Sequence, residues 1–335
     1  MASTFTLAPP PRLNLLLSAR ATSPSRAHST RSALLMDDLI FHNDRILPLS
    51  EAHLSPGQVG LLSGWGVFTT LRIYQGRPFA FERHWSRMSR DAARLGVPLP
   101  YDSEAVRDAT VDLARANNCP EAMARLTFVK NQGGLWADAE GLGETDLLIF
   151  TRPVVAWPAT ERLLLAPGGI FAAGQYSGAK MLSWVSHAAV LREAHEKGYD
   201  DALLTNEKDQ LAECTSANIF LIRDGKVLTP PLSSGCLGGI TREILVEIAP
   251  TEGIELIEEA LTVGDLAQAE EVFISSTTRE VAPIEYISPS WKYPAPGPMT
   301  LRIAQVFKAY VQSWLAATPE ATPSSYGEIK PLLTA

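Results

Sequence analysis

A mixed α+β (α/β) protein of two domains with a ligand cleft between them is the fold class that the sequence predicts. Three observations lead there. Stretches of alternating β-branched and aromatic residues, closed by Gly, Asn or Asp turns, interleave with stretches of helical period. The chain has 335 residues, 46% hydrophobic and 20% charged, which suffices for two modest cores. A Pro-bounded segment, PVVAWP, separates the halves. The reading is a small α+β N-terminal domain at 36–153, a linker at 154–158, a larger C-terminal domain at 159–315 and a flexible tail at 316–335.

In chain order, LIFHNDRILPL from Leu39 reads as a hairpin turning at Asn43-Asp44. Val67 to Tyr74 alternates as a strand, Gln75-Gly76 turns it, and Phe79 to Phe81 returns. From Glu82 the period becomes helical, with Trp85, Met88, Ala92 and Leu95 on one face. A helix over Ser103–Asn117 precedes the strand MARLTFVKN, a Gly133-Gly134 loop and the strand LLIFTRPV. RLLLAP opens the second domain, a helix spans Ser186–Lys197, and DDALLTNEKDQLAECTSANIFLIRDGKVLTP gives strands punctuated at Glu207-Lys208-Asp209 and Asp224-Gly225. A helix starts at Thr241, EVFISSTTREVAPI is an apolar strand entering a hydroxyl cluster, and the last helix spans Met299–Trp314.

The first 35 residues contain no acid, four arginines and six serines, the composition of a disordered leader or a targeting segment, and are read as outside the fold. The expected location is cytoplasmic, or organellar if that segment is a transit peptide. A net charge of −8 argues against nucleic acid and membrane surfaces as partners and leaves a small molecule as the expected one. Cys119, Cys214 and Cys236 show no metal-ligand spacing, so neither a metal site nor a disulfide is expected. No apolar run reaches the roughly 18 residues of a membrane span.

The chemistry concentrates between Lys180 and Arg242. A lysine that loses solvation drops its pKa and can form a Schiff base with an aldehyde, which is how pyridoxal 5'-phosphate is held. Glu213, 33 positions on, can face the ring nitrogen and keep it protonated, which makes the ring an electron sink. Gly238-Gly239-Ile240-Thr241 open a helix whose free N–H groups suit a phosphate. Thr277 and Thr278 end a strand with hydroxyls that can donate to phosphate oxygens.

In the segments SGAKMLSW, LAECTSANIFLI, CLGGITREIL and His84-x-x-Arg87-Met88, the chain resembles the class IV aminotransferase family of fold-type IV pyridoxal-phosphate enzymes, over about Leu39 to Val311. The resemblance implies a D-amino-acid-aminotransferase-like fold with the cofactor between the domains, and at least a homodimer. It implies Lys180 as the catalytic lysine, with Arg87, Lys180, Glu213, Gly239, Ile240, Thr241, Thr277 and Thr278 binding the cofactor. Branched-chain enzymes of the family carry a tyrosine five residues after the lysine, where this chain has Val185. GVFTTLRIYQG and ECTSANIF lean the expectation toward 4-amino-4-deoxychorismate lyase, which forms 4-aminobenzoate and pyruvate. Thr69-Thr70 would offer a hydroxyl to the leaving group. The alternatives are a branched-chain or other amino-acid transaminase using 2-oxoglutarate and, from another class, a non-catalytic cofactor-binding homologue.

Overall fold

The computed structural model describes residues 36–133 and 143–320. The expectations for residues 1–35, for Gly134 and for the tail beyond Glu320 fall outside that range.

The first hairpin pairs β1 (Leu39–His42) with β2 (Arg45–Pro48), and Asn43 turns it at φ 51°, a left-handed conformation that Asn tolerates well. A five-residue helix, α1 (Val59–Ser63), then appears where no period was read, because one turn is too short to show one. β3 (Gly66–Tyr74) follows as expected. The returning strand is β4 (Arg77–Pro78) rather than Phe79–Phe81, and α2 (Phe81–Leu95) starts one residue early, after Ala80 at φ 51°. The reason is Phe79, whose ring serves as a wedge against the last helix. α3 (Ser103–Ala116) is capped by Asp102, whose carboxylate accepts from Ala105 N at 2.8 Å. β5 (Ala122–Lys130) and β6 (Thr145–Pro153) complete an antiparallel sheet of order β2-β1-β6-β5-β3-β4. Val67, Leu71 and Ile73 of β3 pack with Met88 and Ala92 of α2 and Val106 and Leu113 of α3.

The second sheet contains β7 (Glu161–Ala166), β8 (Asp201–Thr205), β9 (Leu211–Cys214), β10 (Asn218–Arg223), β11 (Lys226–Thr229), β12 (Leu256–Glu258), β13 (Glu271–Ser276), β14 (Glu280–Ile287) and β15 (Trp291–Lys292). Its order is β12-β11-β10-β13-β14-β7-β8-β9, with β15 on β14. Strand β7 runs parallel to both its neighbours, so the sheet is mixed. Both faces of its middle are buried, which is why β10 and β13 read as continuous apolar runs. Ile219, Leu221 and Ile274 enter one core, while Phe220, Ile222 and Phe273 meet the helices on the other side.

Three helices belong to this half: α4 (Val185–Glu196), α5 (Ile240–Ile248) and α6 (Pro298–Ala317). α6 outruns the expected Met299–Trp314, and its last turn takes in two residues assigned to the tail. The cause is the apolar stripe Ile303, Phe307, Val311, Leu315, whose last member still packs in the core. This helix joins the sheets: Phe79 meets Phe307, Tyr310 and Trp314 edge-on, and Arg77 donates to the carbonyls of Leu315 and Thr318. Among the described residues no helix is long and apolar enough to cross a membrane, and all three cysteines are free thiols.

Candidate active site

One cavity of about 570 Å³ lies where the two sheets approach, within the size range of small-molecule sites. Arg87, Lys180, Glu213, Gly239, Ile240, Thr241, Thr277 and Thr278 all line it. Residues up to 191 positions apart in sequence, Arg87 and Thr278, thus share one wall.

Helix α2 presents two stripes. Met88 and Ala92 turn into the core, whereas His84, Arg87, Asp91 and Arg94, spaced three, four and three residues, form a polar line from which Arg87 reaches the cavity. Arg87 donates through Nη2 to Thr69 Oγ1 at 2.9 Å and through Nη1 to Gly238 O at 3.1 Å. Since an arginine only donates, the Thr69 hydroxyl accepts there and its own hydrogen is free for His84 Nδ1, 2.8 Å away. Burial, with Arg87 and Lys180 nearby, holds the pKa of His84 well below the usual value.

Lys180 is fixed through both backbone groups. Its N–H donates to Asp91 Oδ2 at 3.1 Å, and its carbonyl accepts from Phe68 N at 3.2 Å. Met181 bridges Val67, so the lysine segment docks on β3 like a short added strand. Gly66 permits that approach, because a Cβ there would run into the Leu182 side chain and the Phe128 carbonyl. The Lys180 amine lies 4.6 Å from the centre of the Phe68 ring. Burial pushes its pKa down, Arg87 pushes it further, and Glu213 pulls the other way.

Glu213, on β9, accepts from Leu237 N at 3.0 Å through Oε2. Burial raises its pKa, opposed by that N–H and by Lys180. Gly239 caps α5 without any side chain bonding the first turn, so N–H groups of Ile240 and Thr241 stay available to an anion. A Cβ at 239 would overlap the Asn218 amide, so the turn demands glycine.

The residues present fit pyridoxal 5'-phosphate on three structural grounds. Arg87 Nε and Ser275 Oγ are buried without hydrogen-bond partners beside the α5 turn and the Thr277-Thr278 turn, and a phosphate supplies acceptors for such donors. The N-terminus of α5 is uncapped. A half-buried amine and a half-buried carboxylate line the same cavity.

The Thr278 turn is tied down from beneath. Arg279 clasps both oxygens of Glu161 at 2.9 and 3.0 Å, approaches Asp201 at 3.3 Å, and donates to Ser216 Oγ at 2.8 Å. Asp201 in turn accepts from Thr215 and Ser216 on the neighbouring turn. Trp157, from the expected linker, stacks on the guanidinium at 3.9 Å and donates to Thr278 O. Arg279→Met leaves two buried carboxylates uncompensated and is expected to destabilise the fold by about 3–5 kcal/mol. The midpoint of urea unfolding, at unchanged slope, measures it.

One expectation from the sequence is corrected. Thr69 and Thr70 do not both face the cavity: the two-residue period of β3 sends Thr69 to α2 and Thr70 to the wall, opposite Arg125 of β5. Val185 is 79% exposed and does not line the cavity; Trp184, Ser186 and His187 do. Sequence reasoning passed over Arg125 and Asp91. Arg125 stands with its side chain exposed on the wall, 3.8 Å over the Phe68 ring, and has neither hydrogen bond nor ion pair among the described residues. The signal for it was a charge within an otherwise apolar alternating strand.

One cavity thus gathers an amine, a carboxylate and an uncapped helix N-terminus beside a guanidinium and strand-end hydroxyls. The amino-transferase class IV family model matches residues 66–287, and the chain belongs to that family. Class IV aminotransferases use pyridoxal 5'-phosphate. The D-alanine aminotransferase of Listeria innocua is 29% identical over 252 residues, 73% of this chain and 86% of that protein. The crystal structure of the Escherichia coli branched-chain amino acid aminotransferase superposes with a TM-score of 0.75 at 27% identity, covering 82% of this chain and 94% of that one. The Thermobaculum terrenum branched-chain enzyme, in its PLP-bound holo form, gives 0.73 at 25% identity over 83% of this chain and 95% of that one.

Proposed function

We propose that the chain is an amino-acid transaminase, moving an amino group from an amino acid to a 2-oxo acid, with Lys180 as its catalytic residue. Arg87, Gly239, Ile240, Thr241, Thr277 and Thr278 hold the phosphate, and Glu213 pairs with the ring nitrogen. When bound, the cofactor supplies an electron-withdrawing ring that takes up the electron pair left at the substrate α-carbon. The Lys180 amine, once freed by the incoming amine, takes the proton from that carbon, and its burial keeps it neutral enough to act as a base. The docked lysine segment and the Phe68 ring set where the amine stands on the cavity wall.

The observation that carries the reading is Arg125. An unpaired guanidinium on the wall of a cavity that already holds an amine and a phosphate cradle suits the carboxylate of an amino or 2-oxo acid. The motif-based lean toward the lyase finds no support in the relatives described above, each of which is named as an aminotransferase. Thr70 supports it as a second reading, since its hydroxyl faces the cavity where a leaving group would depart. In either case the working unit is read as a homodimer, consistent with the exposed Leu61 and Leu62 beside the Ser183 contact and the exposed Val185.

Purified enzyme supplied with 2-oxoglutarate and either L-leucine or D-alanine is expected to form glutamate at roughly 1 s⁻¹ or more. Arg125→Leu should raise KM for 2-oxoglutarate about 10- to 100-fold, the worth of one charge-assisted bond. Production of 4-aminobenzoate and pyruvate from aminodeoxychorismate, with no glutamate in the other vessels, transfers the reading to the lyase.

A further inference from the structure

The polar line of α2 includes a carboxylate that the reading above does not use. Asp91 is fully buried, yet among the described residues no cation pairs with it closely: Arg90 Nε and Arg94 Nη1 both stop 3.9 Å from Oδ1, which has no hydrogen-bond partner there. Its other oxygen accepts the Lys180 N–H at 3.1 Å. Arg94, one turn on, donates to the carbonyls of Gln175 and Ser177 at 2.9 and 3.1 Å. The same helix face therefore holds the chain leading into the lysine and the lysine itself.

We propose that Asp91 is a positioning residue for Lys180: its carboxylate fixes the lysine backbone and its negative charge sets how readily the amine gives up its proton. The inference rests on the reading of Lys180 as the cofactor lysine. The charges facing the amine are unequal without it. Arg87 approaches from α2 and Arg125 from β5, while the imidazoles of His84 on α2 and His187 on α4 are held toward their neutral forms, against Glu213 from β9. Burial and the cations draw the proton off the amine, and Asp91 is the second anion that opposes them. Losing that opposition lets the amine deprotonate at lower pH.

The test compares wild type with Asp91→Asn, which keeps an acceptor for the Lys180 N–H while removing the charge, and with Asp91→Ser, which is smaller. Acetic anhydride labelling of the full chain stripped of cofactor, read at Lys180 by peptide mass, gives the pH midpoint for the neutral amine. Both variants are expected to move it down by about one unit, an approximately tenfold larger neutral fraction below the midpoint. In the holoenzyme, the pH at which the visible band changes should move the same way. An unmoved midpoint in a variant with native circular dichroism overturns the proposal, and so does loss of fold in both variants, which would make Asp91 a residue of the fold alone. Because the labelling needs no cofactor, failure of Lys180 to bind pyridoxal phosphate would overturn the functional reading without touching this result.

Discussion

Lys180→Ala is expected to abolish the visible absorbance that pyridoxal 5'-phosphate gives when bound, and to lower turnover by about 10⁴ or more, at or beyond the upper range for loss of a general base. The expectation follows from what lies around the residue. Its backbone bonds to Asp91 and Phe68 survive in alanine, so the segment stays docked on β3 and the cavity keeps its shape. Only the amine is lost. Borohydride treatment of wild-type holoenzyme, followed by peptide mapping, should place the reduced adduct on Lys180. An adduct on another lysine, or a persisting chromophore in the variant, would sink the assignment.

Glu213→Gln should leave the cofactor bound, since Arg87, the α5 turn and the Thr277-Thr278 turn are untouched. Turnover is expected to fall by roughly 10²- to 10⁴-fold, in the range of proton-handling residues, because an amide cannot hold a proton on the ring nitrogen. Gln retains an oxygen for Leu237 N, so the local hydrogen bond persists. The substitution also removes a negative charge that raises the pKa of Lys180, so the amine should lose its proton at lower pH than in wild type. Single-turnover rates across a pH series separate the two effects: a pure charge effect moves the profile sideways, whereas loss of the ring proton lowers its plateau. An unmoved plateau would mean that the ring nitrogen faces some other group.

The residues proposed to hold the cofactor, which the fold brings to one cavity, were legible because most depend on a local feature. A glycine turn opening a helix, a lysine flanked by apolar residues and hydroxyls at a strand end are all written within a few positions of themselves. Arg125 and Asp91 were not, because their meaning lies in partners far along the chain. Arg125 acquires a role only once β5 is paired beside β3, and Asp91 only once the segment around Lys180 folds back on α2. The pairing order of the second sheet was equally hidden: parallel contacts of β7 with β8 and β14 arise from connections whose length, not composition, decides them. The displaced start of α2 has the same origin, since Phe79 answers to Phe307 and Trp314 rather than to its neighbours in sequence.

The alternation along β3 has a practical corollary for redesign. Val67, Thr69 and Leu71 serve the core and the Arg87 network, while Phe68 and Thr70 face the lysine and the open wall. Odd and even positions of a single strand thus answer to separate demands, one for reactivity and one for selectivity. Saturating Thr70 together with Arg125 should sample substrate choice in a library whose members remain reactive, whereas changes at Thr69 would disarm them wholesale. A strand that supports the chemistry on one side and addresses the substrate on the other can change what the enzyme accepts without relearning how it reacts.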